Sequence, residues 1–272
     1  MSGRAHQGGG EVKVGALSID PIFDGHGVEP GREVLSKPDE ADPWACHDHL
    51  LDIDGGLRLT LGGFLIRTGN RCVLVDAGVG TIDNDKYHGG QFLESLRGVG
   101  VSPGDVTDVL FTHLHFDHVG WATRKGQVVF PNATYRVHRA DWAHFVESSD
   151  AQPGAVRKLA PLADQLVTFE HDMTLAPGVD ARHVGGHTPG SSIFVVSSEG
   201  ERALLLGDVA HTTVELTDPT WEAVFDVDPT AAKRVRAAMA DEATDSGDVV
   251  AAAHFPPGRL ISVGGGRRFR FL

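Results

Sequence analysis

The sequence predicts an α/β (α+β) fold in which two β-sheets pack face to face with helices on the outside. Three observations predict it. Strand-like runs are followed by helical runs, and that order occurs twice along the chain. Elements with one apolar face bury it by stacking in layers. The hydrophobic content is 41% over 272 residues, enough for a sizeable core, and no short-period repeat interrupts it. Several short apolar runs stop on a histidine or an aspartate, as expected if strand ends gather along one edge of the layers.

Glu11 to Ile19 carries Val12, Val14, Ala16 and Leu17 and reads as an opening strand. Asp20 to Asp54 is rich in Pro, Gly and acidic residues and lacks periodicity. It reads as a long excursion within a single domain spanning 11–272, serving as a lid or as a homodimer contact. Leu57 to Arg67 and Arg71 to Asp76 are strands paired through a Thr68-Gly69-Asn70 turn. Tyr87 to Arg97, with Phe92, Leu93 and Leu96, is a short helix. Thr107 to Thr112 is a buried strand. Val128 to Phe130 and Ala133 to Val137 flank Pro131-Asn132 and suggest a hairpin. Arg139 to Ser148 is helical with Trp142, Phe145 and Val146 inward, and Ala155 to Leu166 is a second helix. Leu175 to Val184, Ser191 to Ser197 and Arg202 to Gly207 are strands. Thr230 to Ala243 is alanine-rich and amphipathic, the clearest helix. Val249 to Ala253 is a strand, and Leu260 to Val263 with Arg267 to Phe271 closes the chain as a hairpin.

The chemistry concentrates in Thr112-His113-Leu114-His115-Phe116-Asp117-His118, just past the apolar run Val109-Leu110-Phe111. With an extended backbone His113 and His115 point one way and Asp117 follows, while His118 points elsewhere, so the run can serve two metals. Imidazole with carboxylate suits zinc, with iron, manganese or cobalt as alternatives. A polar loop with chance histidines is the plain alternative, and the rest of the chain weakens it. His187 sits in a glycine-rich turn, Asp208 ends the run Leu204-Leu205-Leu206-Gly207, and His254 ends Val249 to Ala253. Cys46-His47-Asp48-His49 reads instead as loop polarity. Cys46 and Cys72 imply no disulfide framework.

The set His113-x-His115-x-Asp117-His118, His187, Asp208 and His254 resembles the metallo-β-lactamase superfamily of dinuclear metallohydrolases, from about Gly62 onward. The resemblance implies an αββα four-layer sandwich and two divalent metal ions. His113, His115 and His187 would hold one ion. Asp117, His118 and His254 would hold the other, and Asp208 would bridge them. Asp76, in Val75-Asp76-Ala77-Gly78, would support a ligand histidine from behind. A bridged hydroxide would then attack an ester or lactone carbonyl, with Asp117 and Asp208 at the reacting centre. His211 stands where acyl-homoserine lactonases of the family often carry a tyrosine. It would donate to the oxyanion or protonate the leaving group, and the Gly-Asp-x-x-His pattern is closer to methyl parathion hydrolase-like members. Phe116, Trp121, Phe225 and Phe255 are candidate walls of an apolar substrate pocket.

The net charge of −13, from 24 basic and 37 acidic residues, argues against nucleic acid as a partner. No apolar run approaches a membrane span, and Met1 to Gly10 lacks an apolar signal region and reads as a disordered start, so the default location is cytoplasmic. The expected partner is a small-molecule substrate. A phosphotriester is the nearest rival substrate. The secreted β-lactamases need export. A glyoxalase II-like thioesterase or a nuclease would add a region for which little chain follows His254. A mononuclear iron dioxygenase needs fewer ligands, and a non-catalytic metal-binding module would show gaps in the set.

Overall fold

The computed structural model describes residues 10–272, so the expected disordered start lies, except for Gly10, outside the described residues. Two large sheets carry the architecture. The first runs in the order Val12–Val14, Leu17–Pro30, Gly56–Thr68, Arg71–Val75, Asp108–Leu110, Thr134–His138 and Leu166–Phe169, with Tyr87–His88 paired to the long second strand. The second runs Met173–Ala176, Val179–His183, Ser192–Ser198, Glu201–Leu205, Val249–Ala252, Phe255–Val263 and Gly266–Phe271.

The period-two alternation of the strands explains the layers. Phe64 and Ile66, Val73 and Val75, Leu110, Phe194 and Val196, Ala203 and Leu205 share one core between the sheets. Their immediate neighbours point the other way. Leu65, Leu74 and Val109 pack outward with Phe92, Leu96, Leu159 and Leu162 of the helical segments. Ile193, Val195, Leu204 and Leu206 pack outward against Met239, Ala240 and Ala243 of the helix Pro229–Ser246. Both faces of both sheets are therefore buried, which is why these strands read as near-continuous apolar runs. The helix Pro229–Ser246 begins with Asp228, whose carboxylate accepts from Ala231 N at 2.9 Å, and ends on Gly247 in the left-handed conformation.

Three expectations are corrected. Asp20 to Pro30 is not part of a loop. It belongs to the strand Leu17–Pro30, which pairs along its length with Gly56–Thr68 and folds back antiparallel on Val12–Val14, so the opening strand expected over 11–19 is itself a hairpin. Asp20, Pro21, Asp24, Gly25, Gly27 and Pro30 hide it, because these types are rare in strands. The rest of the supposed excursion is anchored: Trp44 is buried edge-on against Trp221 at 5.1 Å, and its Nε1 donates to Leu35 O at 3.0 Å. The hairpin expected over 128–137 does not form. Thr134–His138 pairs in parallel with Asp108–Leu110 and Leu166–Phe169, while Gln127–Val128 turns back on Thr123–Arg124. The adjacent apolar runs made local pairing look natural, but a buried position in the sheet wins. Finally, the helix expected over 87–97 is confined to Phe92–Gly98, and Tyr87–His88 joins a sheet edge.

Candidate metal centre

The donors converge because the strand ends do. Asp108–Leu110 of the first sheet feeds the loop of His113 to His118. Val179–His183, Glu201–Leu205 and Val249–Ala252 of the second lead to His187, Asp208 and His254. Backbone close approach sets the seam: Gly207 has φ +55°, and a Cβ there would lie 2.6 Å from Thr112 Cβ. Only glycine fits that position.

Donor atoms of His113, His115, His187 and Asp208 form one group, and those of Asp117, His118 and His254 a second. His113 Nε2 and His187 Nε2 each lie 3.0 Å from His115 Nδ1. Donors about 2.0–2.1 Å from a tetrahedral ion sit about 3.3 Å apart, close to this spacing. Asp208 lies between the groups. Its Oδ2 is 3.1 Å from His254 Nε2, 3.6 Å from His187 Nε2 and 3.8 Å from His113 Nε2, and its Oδ1 is 3.2 Å from His118 Nε2. Asp117 Oδ2 is 3.7 Å from His254 Nε2 and 3.9 Å from His118 Nε2.

The residues fit metal ions on their own evidence. His118 Nε2 and Asp208 Oδ1 are buried and make no hydrogen bond despite their proximity. Buried polar atoms without partners are costly and rare, and two facing one point suit a shared cation. The far nitrogens are fixed instead. His118 Nδ1 donates to Asp76 at 2.9 Å, His187 Nδ1 to Asp226 at 3.0 Å, and His254 Nδ1 to Thr60 O at 2.9 Å. Each bond leaves Nε2 free to ligate. Burial, aided by neighbouring imidazoles, holds His113 well below its ordinary pKa and takes His115 down to about 2, so both are neutral donors. Burial opposes ionisation of Asp208, yet His254 and His118 hold its carboxyl well below the carboxylate range.

Asp76 takes a strained position, φ +58°, at the end of its strand. From there it accepts from Thr112 N and Thr112 Oγ1, both at 2.8 Å, as well as from His118. His211 is buried with Nε2 unpartnered and 3.6 Å from Asp208 Oδ2. Burial lowers its pKa, but Glu215, 3.4 Å from Nδ1, raises it to about 9.

The four aromatic candidates divide. Phe116 is half exposed, meets Tyr87 edge-on at 5.0 Å and lines a cavity of about 390 Å³ that also touches His115, Leu114 and Phe145. Phe225 lies 5.2 Å from the His211 ring. Phe225, Phe255 and Trp121 are not walls of that cavity, although Trp121 lines a larger one beside it. Phe255 follows His254 on a strand-like path, so it points oppositely, into the outer core against Phe269 at 5.4 Å. Trp121 is turned into the core where the chain returns to Ala77, and its Nε1 donates to Asp24 Oδ1 at 3.0 Å.

Sequence reasoning missed the supports. Asp24 accepts from the backbone of Val79, Gly80, Gly90 and Phe92 as well as from Trp121. Asp141 accepts from Leu114 N at 3.0 Å and Gly190 N at 2.6 Å, tying the two histidine loops together. Asp226, Arg236 and Glu215 form a buried chain from His187 to His211: Arg236 Nη2 is 3.1 Å from Asp226 Oδ2 and 3.3 Å from Glu215 Oε1. Asp228-Pro229 marks a helix start beside Asp226, but nothing local says that a carboxylate there faces a histidine 39 residues earlier.

This sandwich, with imidazole and carboxylate donors gathered at the strand ends, defines a metal-dependent hydrolase. The chain belongs to the metallo-beta-lactamase superfamily, whose family model matches residues 63–254. It is 27% identical over 188 residues to an N-acyl homoserine lactonase of Bacillus thuringiensis, covering 62% of this chain and 72% of that one. Among solved structures, the dizinc quorum-quenching lactonase AidC superposes with a TM-score of 0.88 at 21% identity, covering 98% of each chain. The hydrolase AbOPH superposes with a TM-score of 0.85 at 24% identity, covering 99% of each chain. At these identities the two structures speak to the fold alone.

Proposed function

We propose that the chain is a dinuclear, zinc-dependent lactonase that opens the ester bond of a cyclic ester with water. The observation that carries the reading is the placement of Asp208 between two donor groups, with unpartnered atoms directed at the space between them. Likeness to N-acyl homoserine lactonases supports the lactone as substrate class. His113, His115 and His187 would hold one ion, Asp117, His118 and His254 the other, and Asp208 would serve both. When bound, the ions supply Lewis acidity that makes a water nucleophilic near neutral pH and polarises the scissile carbonyl. The protein's own groups do the rest. Asp208 and Asp117 orient the attacking water. His211, kept protonated by Glu215, hands a proton to the ring oxygen as its bond to the carbonyl carbon breaks, so that a hydroxy acid leaves. Phe116 and the cavity beside it receive the apolar part of the substrate.

The test is metal content per chain by elemental analysis, paired with a screen of lactones, aryl esters and phosphotriesters. Two zinc ions and chelator-sensitive lactone turnover are expected. One iron and no hydrolysis would overturn the reading. The histidine three residues after Asp208 favours a second substrate class, the phosphotriester, and faster turnover in that arm of the screen would establish it.

His211→Ala is expected to lower lactone kcat by about a hundredfold, at the modest end for a general acid, while metal content stays the same. An ester whose leaving group is a nitrophenolate needs no proton and should lose far less. An equal loss on both substrates would remove the proton-donor role.

A further inference from the structure

A second cavity, of about 700 Å³, adjoins the one at His115 and Phe116. The two share Val79, Gly120, Gly154 and Lys158 as walls, so they border each other. The first is mainly apolar, with Leu114, Val119, Phe145 and Ala155 among its walls. The second is cationic: Arg124, Lys125, Arg157 and Lys158 line it, and no lining residue carries a carboxylate. That is unexpected in a chain with 37 acidic and 24 basic residues.

The cations are placed, not scattered. Arg124 and Lys125 sit on the tight hairpin Thr123–Arg124 to Gln127–Val128. Its two turn residues, Lys125 at φ +51° and Gly126 at φ +77°, have the left-handed geometry that such two-residue turns require. The Arg124 guanidinium lies 5.7 Å from the centre of the Trp121 ring, which fixes its direction. Lys158 ties the neighbouring helix to the base of the hairpin by donating to Gly120 O and to Thr123 O, so its own charge is engaged. Arg124, Lys125 and Arg157 make no ion pair with any described residue.

We propose that this groove is a carboxylate-binding subsite, and that the preferred substrate carries an anionic end. Its ester or lactone carbonyl lies at the metal centre, its apolar chain runs past Phe116 and Phe145, and a terminal carboxylate reaches Arg124, Lys125 and Arg157. The inference rests on the hydrolase reading for the first of these contacts and on the groove for the last. Guanidinium forks match a carboxylate in two-point geometry, and the absence of competing acids leaves them available.

The test compares nitrophenyl monoesters of dicarboxylic acids, from butanedioic to decanedioic, with the neutral nitrophenyl esters of equal length, all with the metal-loaded enzyme. At the best length the anionic ester should show a kcat/KM advantage of about tenfold, the scale expected for three exposed cation contacts. The advantage should shrink with added salt. The triple variant Arg124→Gln, Lys125→Gln, Arg157→Gln should lose it while hydrolysing the neutral esters as before, and the single variant Arg157→Glu should shrink the advantage without removing it, since Arg124 and Lys125 remain. Equal rates for both ester types at every length, or an equal loss on both in the triple variant, would overturn the subsite. A calorimetric arm separates the two readings. Octanedioate should bind the metal-loaded protein about tenfold more tightly than octanoate, and the triple variant should remove the difference. If no ester or lactone is hydrolysed, the proposed function falls, and the calorimetric difference alone upholds or refutes the groove.

Discussion

Asp208→Ala should leave at most one metal ion per chain and cut lactone kcat/KM by at least about ten-thousandfold, which corresponds to about 5.5 kcal/mol of lost transition-state stabilisation. Among the described residues its carboxylate is the one that lies within 4 Å of His113, His118, His187 and His254 at once. Without it, Asp117 still faces His118 and His254, but no carboxylate lies between His113 and His187 and that pair. Elemental analysis and circular dichroism on the same sample distinguish loss of metal from loss of fold. Asp208→Asn keeps the shape, removes the charge and should fail nearly as badly. Retention of two ions with undiminished turnover would refute the bridging role. His187→Ala should remove one ion and most of the hydrolysis, since on the proposed reading it would serve a single position.

Arg236→Met should be the most damaging change away from the metals. Arg236 is fully buried, donates to Val209 O at 2.8 Å and Trp221 O at 2.7 Å, and neutralises both Asp226 and Glu215. Removing one partner of a buried ionic group strands the rest, at a cost of about 3–5 kcal/mol. For a chain of this size that is a fall in melting temperature of about 10 °C. Burial raises the Glu215 carboxyl, but Arg236 and then His211 take it down to about 2. A depressed carboxylate contributes stability that is present above its unfolded pKa and is lost as pH falls through the folded value. Without Arg236 the folded pKa rises, so the variant's deficit should be largest near neutral pH and narrow as pH falls. Adding Glu215→Gln should recover part of the loss. Urea melts from about pH 2.5 to 7, spanning the interval between the ordinary carboxylate value and about 2, read all of this, and a deficit under about 1 kcal/mol at neutral pH, well below the buried-pair range, would show that the chain of charges does not hold this region together.

The donors were legible because metal chemistry restricts residue type so severely. Few sequences end four apolar runs on histidine or aspartate by chance, and His113 to His118 announces itself within a single loop. The central layers were legible for a related reason: fully buried strands such as Ile193 to Val196 and Ala203 to Leu206 leave long apolar runs. What escaped depends on partners far away in sequence. Asp24 lies in a stretch poor in strand formers, and its value comes from backbone N–H groups of residues 79 to 92. Asp226 matters because His187 faces it, and Asp141 because two loops meet there. Phe255 shows the opposite error, in which adjacency to a ligand suggested a pocket wall although strand alternation turns it away.

The donors also divide by layer. His113, His115, Asp117 and His118 hang from the first sheet, and His187, Asp208 and His254 from the second. Each donor group draws on both, so an ion in either position closes a loop between halves of the chain that otherwise adhere through a shared apolar core and a few hydrogen bonds. Metal binding and folding are then one equilibrium. An unfolded chain offers no assembled set of donors, so the folded state gains RT ln(1 + [M]/Kd), about 4 kcal/mol when free metal stands a thousandfold above its dissociation constant. Melting temperature should therefore track the logarithm of free zinc. Chelation would loosen the molecule along the seam between its sheets, where resistance to proteases would fall first.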